Sequence, residues 1–139
     1  MTKIILQTDG GARGNPGPAG AGVVVLSETG EILKTAKKFL GERLTNNEAE
    51  YLALLFGLEN LPSLIGERGE AEVVVRLDSE LVVKQLNGDY KVKEPRLKEL
   101  AQGVKDLSHI FSAVTFTHIP REENKLADKL ANEAMDLLS

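Results

Sequence analysis

The sequence contains no cysteine, so neither a disulfide framework nor a thiolate metal site is open to it, which fits a reducing compartment. It also lacks any apolar run near the roughly 18–20 residues that a membrane-crossing helix needs, and no membrane association is expected. The opening MTKIILQTDGG has no long apolar stretch and no small-residue cleavage site. It reads as a strand rather than a signal peptide, and the expectation is a cytoplasmic protein. An excess of basic residues is missing too: 17 Lys and Arg against 21 Asp and Glu give a formal charge of −4. That excludes a protein whose whole surface attracts nucleic acid, though not a local basic patch. Internal repeats, low-complexity segments and dividing linkers are absent. The 139 residues therefore read as one domain, 1–139, and as a monomer. At 42% hydrophobic and 27% charged residues the composition is that of an ordinary globular chain. One core suffices at this size.

Hydrophobic patterning supplies the elements. Lys3 to Thr8 is β-rich and stops at Asp9-Gly10-Gly11, a turn signal. The segment Gly14-Asn15-Pro16-Gly17-Pro18 is too rich in breakers for regular structure. Ala21 to Ser27 and Ile32 to Leu40 are further strands, joined by a hairpin connection at 28–31, and the three predict an antiparallel meander. Glu48 to Leu61 has helical spacing behind the N-cap region Thr45-Asn46-Asn47 and is apolar on most sides, as buried helices are. Pro62, Gly66 and Gly69 mark a loop. Ala71 to Leu77 is a strand, Glu80 to Leu86 a helix that Asp78-Ser79 can cap, Arg96 to Leu107 a helix, and Val114 to Ile119 a strand. Glu122 to Leu138 is an amphipathic helix with Leu126, Ala127, Leu130, Ala131, Ala134, Leu137 and Leu138 apolar. A meander followed by strand–helix alternation predicts an α/β fold, a mixed sheet covered by helices.

The acidic residues carry the chemistry. Asp9 and Asp78 each close a predicted strand, and ligands of open α/β sheets gather at strand carboxyl ends. If those strands are parallel neighbours, the two carboxylates lie side by side and their repulsion calls for a cation. Oxygen ligands without cysteine and with only two histidines suit Mg²⁺ or Mn²⁺. Taken singly, each has an ordinary reading as well: a turn residue at Asp9 and a helix cap at Asp78. Glu50 shares a helical stripe with Ala53, Leu54, Gly57 and Leu61, whereas Glu48 lines up with Glu59 on the wetter side. Glu50 thus points at the sheet, where a charge needs a metal or a basic partner. Asp128 sits just off the apolar stripe of the last helix, where a solvated charge is the ordinary reading.

These acids fall in four blocks: TDGGARGNPGPAG (8–20), TNNEAEYLAL (45–54), LDSELVVKQLNGDYKVK (77–93) and HIPREENKLADKLAN (118–132). In order and spacing the blocks resemble the type 1 ribonuclease H family, in its short archaeal-like or bacterial branch. The resemblance spans nearly the whole chain. It implies a ribonuclease H-like fold, a five-stranded mixed sheet of order 3-2-1-4-5 with helices on both faces. It implies four catalytic and metal-binding acids, Asp9, Glu50, Asp78 and Asp128, and hydrolysis of the RNA strand of RNA–DNA hybrids to 5′-phosphate and 3′-hydroxyl ends. Two Mg²⁺ ions, replaceable by Mn²⁺, are implied, with Asp9 bridging both, Glu50 and Asp78 completing one site and Asp128 the other. Alternatives are a nuclease of the same fold that cuts double-stranded RNA, and a non-catalytic nucleic-acid-binding module.

Some relatives place a mobile histidine near the last Asp. Here Arg121 occupies that place, and a permanent cation can neutralise phosphate but is a poor base. Nearby His118 reads as a packed strand residue. By the same resemblance Gly10, Asn15, Asn46 and Asn47 meet the RNA 2′-hydroxyls and Thr45 a DNA phosphate, alongside ordinary turn and capping roles for Asn15 and Asn46. Basic residues at 34, 37, 38, 84, 91, 93, 96 and 98 are further candidates for phosphate contact.

Overall fold

The β-branched runs at the start of the chain pair as the meander that their spacing predicts. In the computed structural model, which describes residues 2–65 and 70–137, β1 (Thr2–Ala12), β2 (Gly17–Ser27) and β3 (Ile32–Leu44) are antiparallel neighbours. Gly30, at φ +94°, turns the tight β2–β3 connection, closed by a 2.8 Å bond from Ser27 N–H to the Glu31 carbonyl. The chain continues through α1 (Asn46–Glu59) and a single turn, α2 (Pro62–Ile65), to β4 (Ala71–Leu77). It then forms α3 (Glu80–Leu86), α4 (Pro95–Ser108), β5 (Ala113–His118), a 3₁₀ turn at Arg121–Glu123 and α5 (Lys125–Asp136). The sheet order is β3-β2-β1-β4-β5, with β4 parallel to β1 and β5 parallel to β4. This is the α/β fold expected, with its mixed sheet of order 3-2-1-4-5.

Alternation along β1 sends successive side chains to opposite faces. Leu6, Thr8 and Gly10 face α1, and the backbones come very close: a Cβ on Gly10 would stand 2.0 Å from the Ala49 carbonyl oxygen. Gly22, paired with Asp9, faces α5, where a Cβ would lie 2.0 Å from the Ala127 carbonyl oxygen. Helices therefore cover both faces. The core between sheet, α1, α3 and α4 is built from Leu6, Val23, Val25, Tyr51, Leu54, Leu58, Val73 and Val75, among others. Tyr51 is fully buried, and its hydroxyl donates to Gln85 Oε1 at 2.7 Å, tying α1 to α3.

Several boundaries differ from those the sequence suggests, for physical reasons. Asp9 does not end a strand, because β1 runs on to Ala12 against Ala19–Gly22 of β2. Gly10 and Gly11 lie in that strand rather than in a turn; what Gly10 provides is room for α1. For the same reason β2 begins at Gly17, inside the segment that reads as irregular, and β3 extends beyond Leu40 to Leu44. Pro62 opens the short α2 instead of a loop, while Gly66 and Gly69 lie outside the described residues. The last helix starts at Lys125, not Glu122, because residues 121–123 turn separately to bring Asn124 inward. Its buried stripe is small, Ala127, Ala131 and Ala134 with Met135, and fits the glycines of β2. Leu126 and Leu137 are exposed instead, and Leu138 lies outside the described residues.

Candidate active site

Three elements deliver carboxylates to one place. The parallel ladder between β1 and β4 ends at Gln7–Arg76. Just beyond it, Asp9 projects from β1 and Asp78 from the bend that follows β4. Ser79 caps α3 by accepting from Val82 N–H at 3.3 Å, which fixes the backbone next to Asp78. Glu50 arrives on the second turn of α1, and its Oε1 accepts from Gly10 N–H at 2.9 Å. The helix start is locked to the sheet as well: Ala12 N–H donates to Asn46 Oδ1 at 3.0 Å, and Asn46 N–H to Asn15 Oδ1 at 2.9 Å. Ligand oxygens of Asp9, Glu50 and Asp78 all lie within 4.8 Å of one another. Asp128, one turn into α5, is near enough to hydrogen-bond Asp9.

Such a cluster is electrostatically unfavourable. Burial pushes the Asp9 carboxyl up to about 10, aided by its hydrogen bond to Glu50 and by the charges of Glu50 and Asp78. Burial also pushes Glu50 up to about 7, against the lowering effect of Asp9 and Gly10. Glu50 is 7% exposed, and its Oε2 has no donor unless Asp9 carries a proton. Close-set carboxylate oxygens, buried at Glu50 and half-buried at Asp9 and Asp78, with one orphan atom and no sulfur or imidazole among them, are the donor set of a hard divalent cation.

The acids line a cleft of about 520 Å³ together with Gly10, Asn46, Asn47 and Arg121. Arg121 is strongly exposed, and its Nη2 stands 3.9 Å from Asp128 Oδ1. Asn15 and Thr45 do not reach the cleft. Thr45 forms a capping box with Glu48, and Asn15 caps the next amide. His118 is exposed rather than packed: it shares the face of Val114 and Phe116 but stands at the open end of β5. None of the basic residues 34, 37, 38, 84, 91, 93, 96 and 98 lines the cleft. Lys37, Lys84 and Arg96 are paired with Glu133, Glu80 and Glu48.

Sequence reasoning missed Asn124. It is 2% exposed, and its Nδ2 donates to the Thr8 carbonyl at 2.9 Å and to Asp78 Oδ2 at 3.2 Å. With the Gln7 side chain donating to the Glu123 carbonyl, it fastens the start of α5 to β1 and orients Asp78. Its sequence signal, a polar residue just before an apolar helical stripe, is hidden when the helix is started at Glu122. Arg13 and Asn132, also in the cleft wall, had no pattern to reveal them.

Residues 7–134 match the Reverse transcriptase-like family. Over its whole length the chain is 50% identical to LC11-RNase H1, a ribonuclease H1 isolated from compost by a metagenomic approach, and superposes on all of that structure with a TM-score of 0.92. The chain belongs to the type 1 ribonuclease H family. LC11-RNase H1 has also been solved in complex with an RNA/DNA hybrid; that structure is 48% identical, with a TM-score of 0.92 over 98% of this chain and 99% of that one. Ribonuclease HI of Halobacterium salinarum is 41% identical over 128 residues, which cover 92% of this chain and 62% of that protein. A bifunctional protein of Mycobacterium tuberculosis is 43% identical over 135 residues, 96% of this chain and 36% of that protein. The chain thus spans between about a third and under two thirds of these curated relatives. Among the described residues of this ribonuclease H-family chain, no helix is long and apolar enough to cross a membrane.

Proposed function

We propose that residues 1–139 act as a single-domain endonuclease that hydrolyses the RNA strand of RNA–DNA hybrids, leaving 5′-phosphate and 3′-hydroxyl ends. The observation that carries this reading is the convergence of Asp9, Glu50 and Asp78 from separate elements, with ligand oxygens within 4.8 Å. The hybrid-bound relative of the same fold supports the choice of substrate. Asp9, Glu50 and Asp78 would hold one divalent cation and Asp9 with Asp128 a second, Mg²⁺ or in its place Mn²⁺. Asp9 would serve both, since it meets Glu50 and Asp128 alike. When bound, the ions supply an activated water and neutralise charge at the departing 3′-oxygen.

The chain supplies position. Asn124 and Ser79 fix Asp78, and the Gly10 amide orients Glu50. Arg121 is permanently charged and offers the phosphate a cation at the rim rather than a base. The Gly10 backbone, Asn46 and Asn47 line the cleft where 2′-hydroxyls would be read. Asn15 and Thr45 act from behind by holding the α1 terminus.

The test is cleavage of labelled hybrid, RNA duplex and DNA duplex with Mg²⁺, Mn²⁺ or EDTA. Cutting of the RNA strand in the hybrid, dependent on either metal and stopped by EDTA, is expected. Faster cutting of the RNA duplex would move the substrate to double-stranded RNA. Binding without metal-dependent cutting would mark a non-catalytic module.

A further inference from the structure

We propose that Arg13 is a phosphate-binding arm for the substrate strand, placed along α5 from the reacting centre. The proposal rests on the nuclease reading above and adds to it a contact away from the scissile bond. Among the described residues that line the cleft, Arg13 and Arg121 alone are basic, while four are acidic. A polyanion entering such a cleft needs fixed cations along its path.

Arg13 has the build of one. Its backbone is held on both sides: its N–H donates to the Pro18 carbonyl at 2.8 Å, and its own carbonyl lies so close to Gly17 that a Cβ there would stand 2.1 Å away. Its side chain lies along the α5 wall, with Nη1 2.6 Å from Asp136 Oδ1 and Nη2 donating to the Asn132 carbonyl at 3.3 Å. These contacts use two of the five donors of a guanidinium. The Arg13 and Asp136 side chains are 42% and 61% exposed, so their ion pair is solvated and easily exchanged for another anion.

Spacing along the helix fits a phosphate of the strand being cut. Asp136 lies eight residues beyond Asp128 on α5, which at 1.5 Å per residue is about 12 Å. Phosphates of one duplex strand advance about 3.4 Å along the axis per nucleotide. A strand that ran along α5 with its scissile phosphate at Asp9 and Asp128 would therefore bring a phosphate roughly three to four nucleotides away to Arg13. The ligand is a backbone phosphodiester of the same duplex, read without regard to base.

Steady-state kinetics on hybrid across a salt series test this with R13Q, R13K and D136N, alongside hybrid binding in EDTA and melting temperatures. We expect R13Q to raise KM about three- to tenfold and to change kcat less than about twofold. It should also lower the slope of log affinity against log salt by about one. R13K, which keeps the charge, should recover the slope. D136N, which releases the guanidinium, should shift KM the other way. If KM and the salt slope of R13Q stay at the parent values the proposal is overturned, and a melting temperature lowered in both R13Q and D136N would then show that Arg13 only staples α5 to the β1–β2 connection. If the parent chain fails to cut, the nuclease reading fails separately, and an unchanged hybrid affinity of R13Q in EDTA still refutes the arm.

Discussion

Replacing Asp9 by Asn should abolish cleavage and at the same time make the metal-free chain more stable at neutral pH. The Asp9 carboxyl is pushed from its ordinary 3.8 up to about 10, by burial first and then by Glu50 and Asp78. At pH 7 the folded chain therefore holds a proton that the unfolded chain has released. Folding binds this proton throughout the window between those two values, so stability falls as pH rises through it. Each unit costs about 1.4 kcal/mol, and from the ordinary value to pH 7 the ceiling is about 4 kcal/mol. Asp9 keeps partial contact with solvent and shares its proton with Glu50, which reduces the expectation to about 2–3 kcal/mol. An Asn amide can donate to Glu50 as the protonated Asp does, but it has no charge to lose. For a chain of 139 residues the gain corresponds to roughly 5–10 °C in Tm. Melting the two proteins in EDTA at pH 4 and pH 7 provides the assay. The gap should be small at the lower pH and open at the higher one. Mg²⁺ or Mn²⁺ at pH 7 should then raise the parent Tm by binding the folded state and leave D9N almost unmoved. Equal melting at pH 7, or the same gap at both pH values, would refute the repulsion on which the site is built.

The two glutamates of α1 should separate cleanly. E50Q should remove metal-dependent cleavage, whereas E48Q should keep it and lose about 0.5–1 kcal/mol of stability through the capping box; the reverse outcome in a hybrid-cleavage assay would show that the wrong face of α1 had been assigned. G22A forces a Cβ to within 2.0 Å of the Ala127 carbonyl oxygen, and urea unfolding should show a loss of about 3 kcal/mol. A loss below about 1 kcal/mol would mean that α5 can lift from the sheet at little cost.

How far the sequence speaks depends on whether a signal is local. Helical periodicity alone separates Glu50 from Glu48, and the structure agrees: Glu50 is buried against Gly10, while Glu48 serves Thr45 and Arg96. The limits of β4 and α3 are legible to the residue, because Asp78-Ser79 stops one and caps the other. Gly10-Gly11 misleads, since glycine marks both turns and close approaches, and only the packing of α1 on β1 decides between them. Asn15 and Thr45 match positions implied by resemblance, yet their oxygens are spent on helix amides, a fact that requires knowing how α1 docks. Asn124 and Arg13 act through groups more than a hundred residues away in sequence. No spacing rule reaches that far.

Beyond Gln7 and Arg76 the two central strands part company, and β1 goes on with β2 alone. Asp9 and Asp78 thus stand on the two lips of a split in an otherwise zipped sheet, whose width is set by backbone bonds below it. Loops around the rim can lengthen, shorten or change charge without altering the distance between those lips. Asp128 is different, for it rides on a helix that beyond its Asn124 anchor is held by small side chains and surface ion pairs. Warming that loosens α5 would cost the centre its fourth acid while the other three still faced one another.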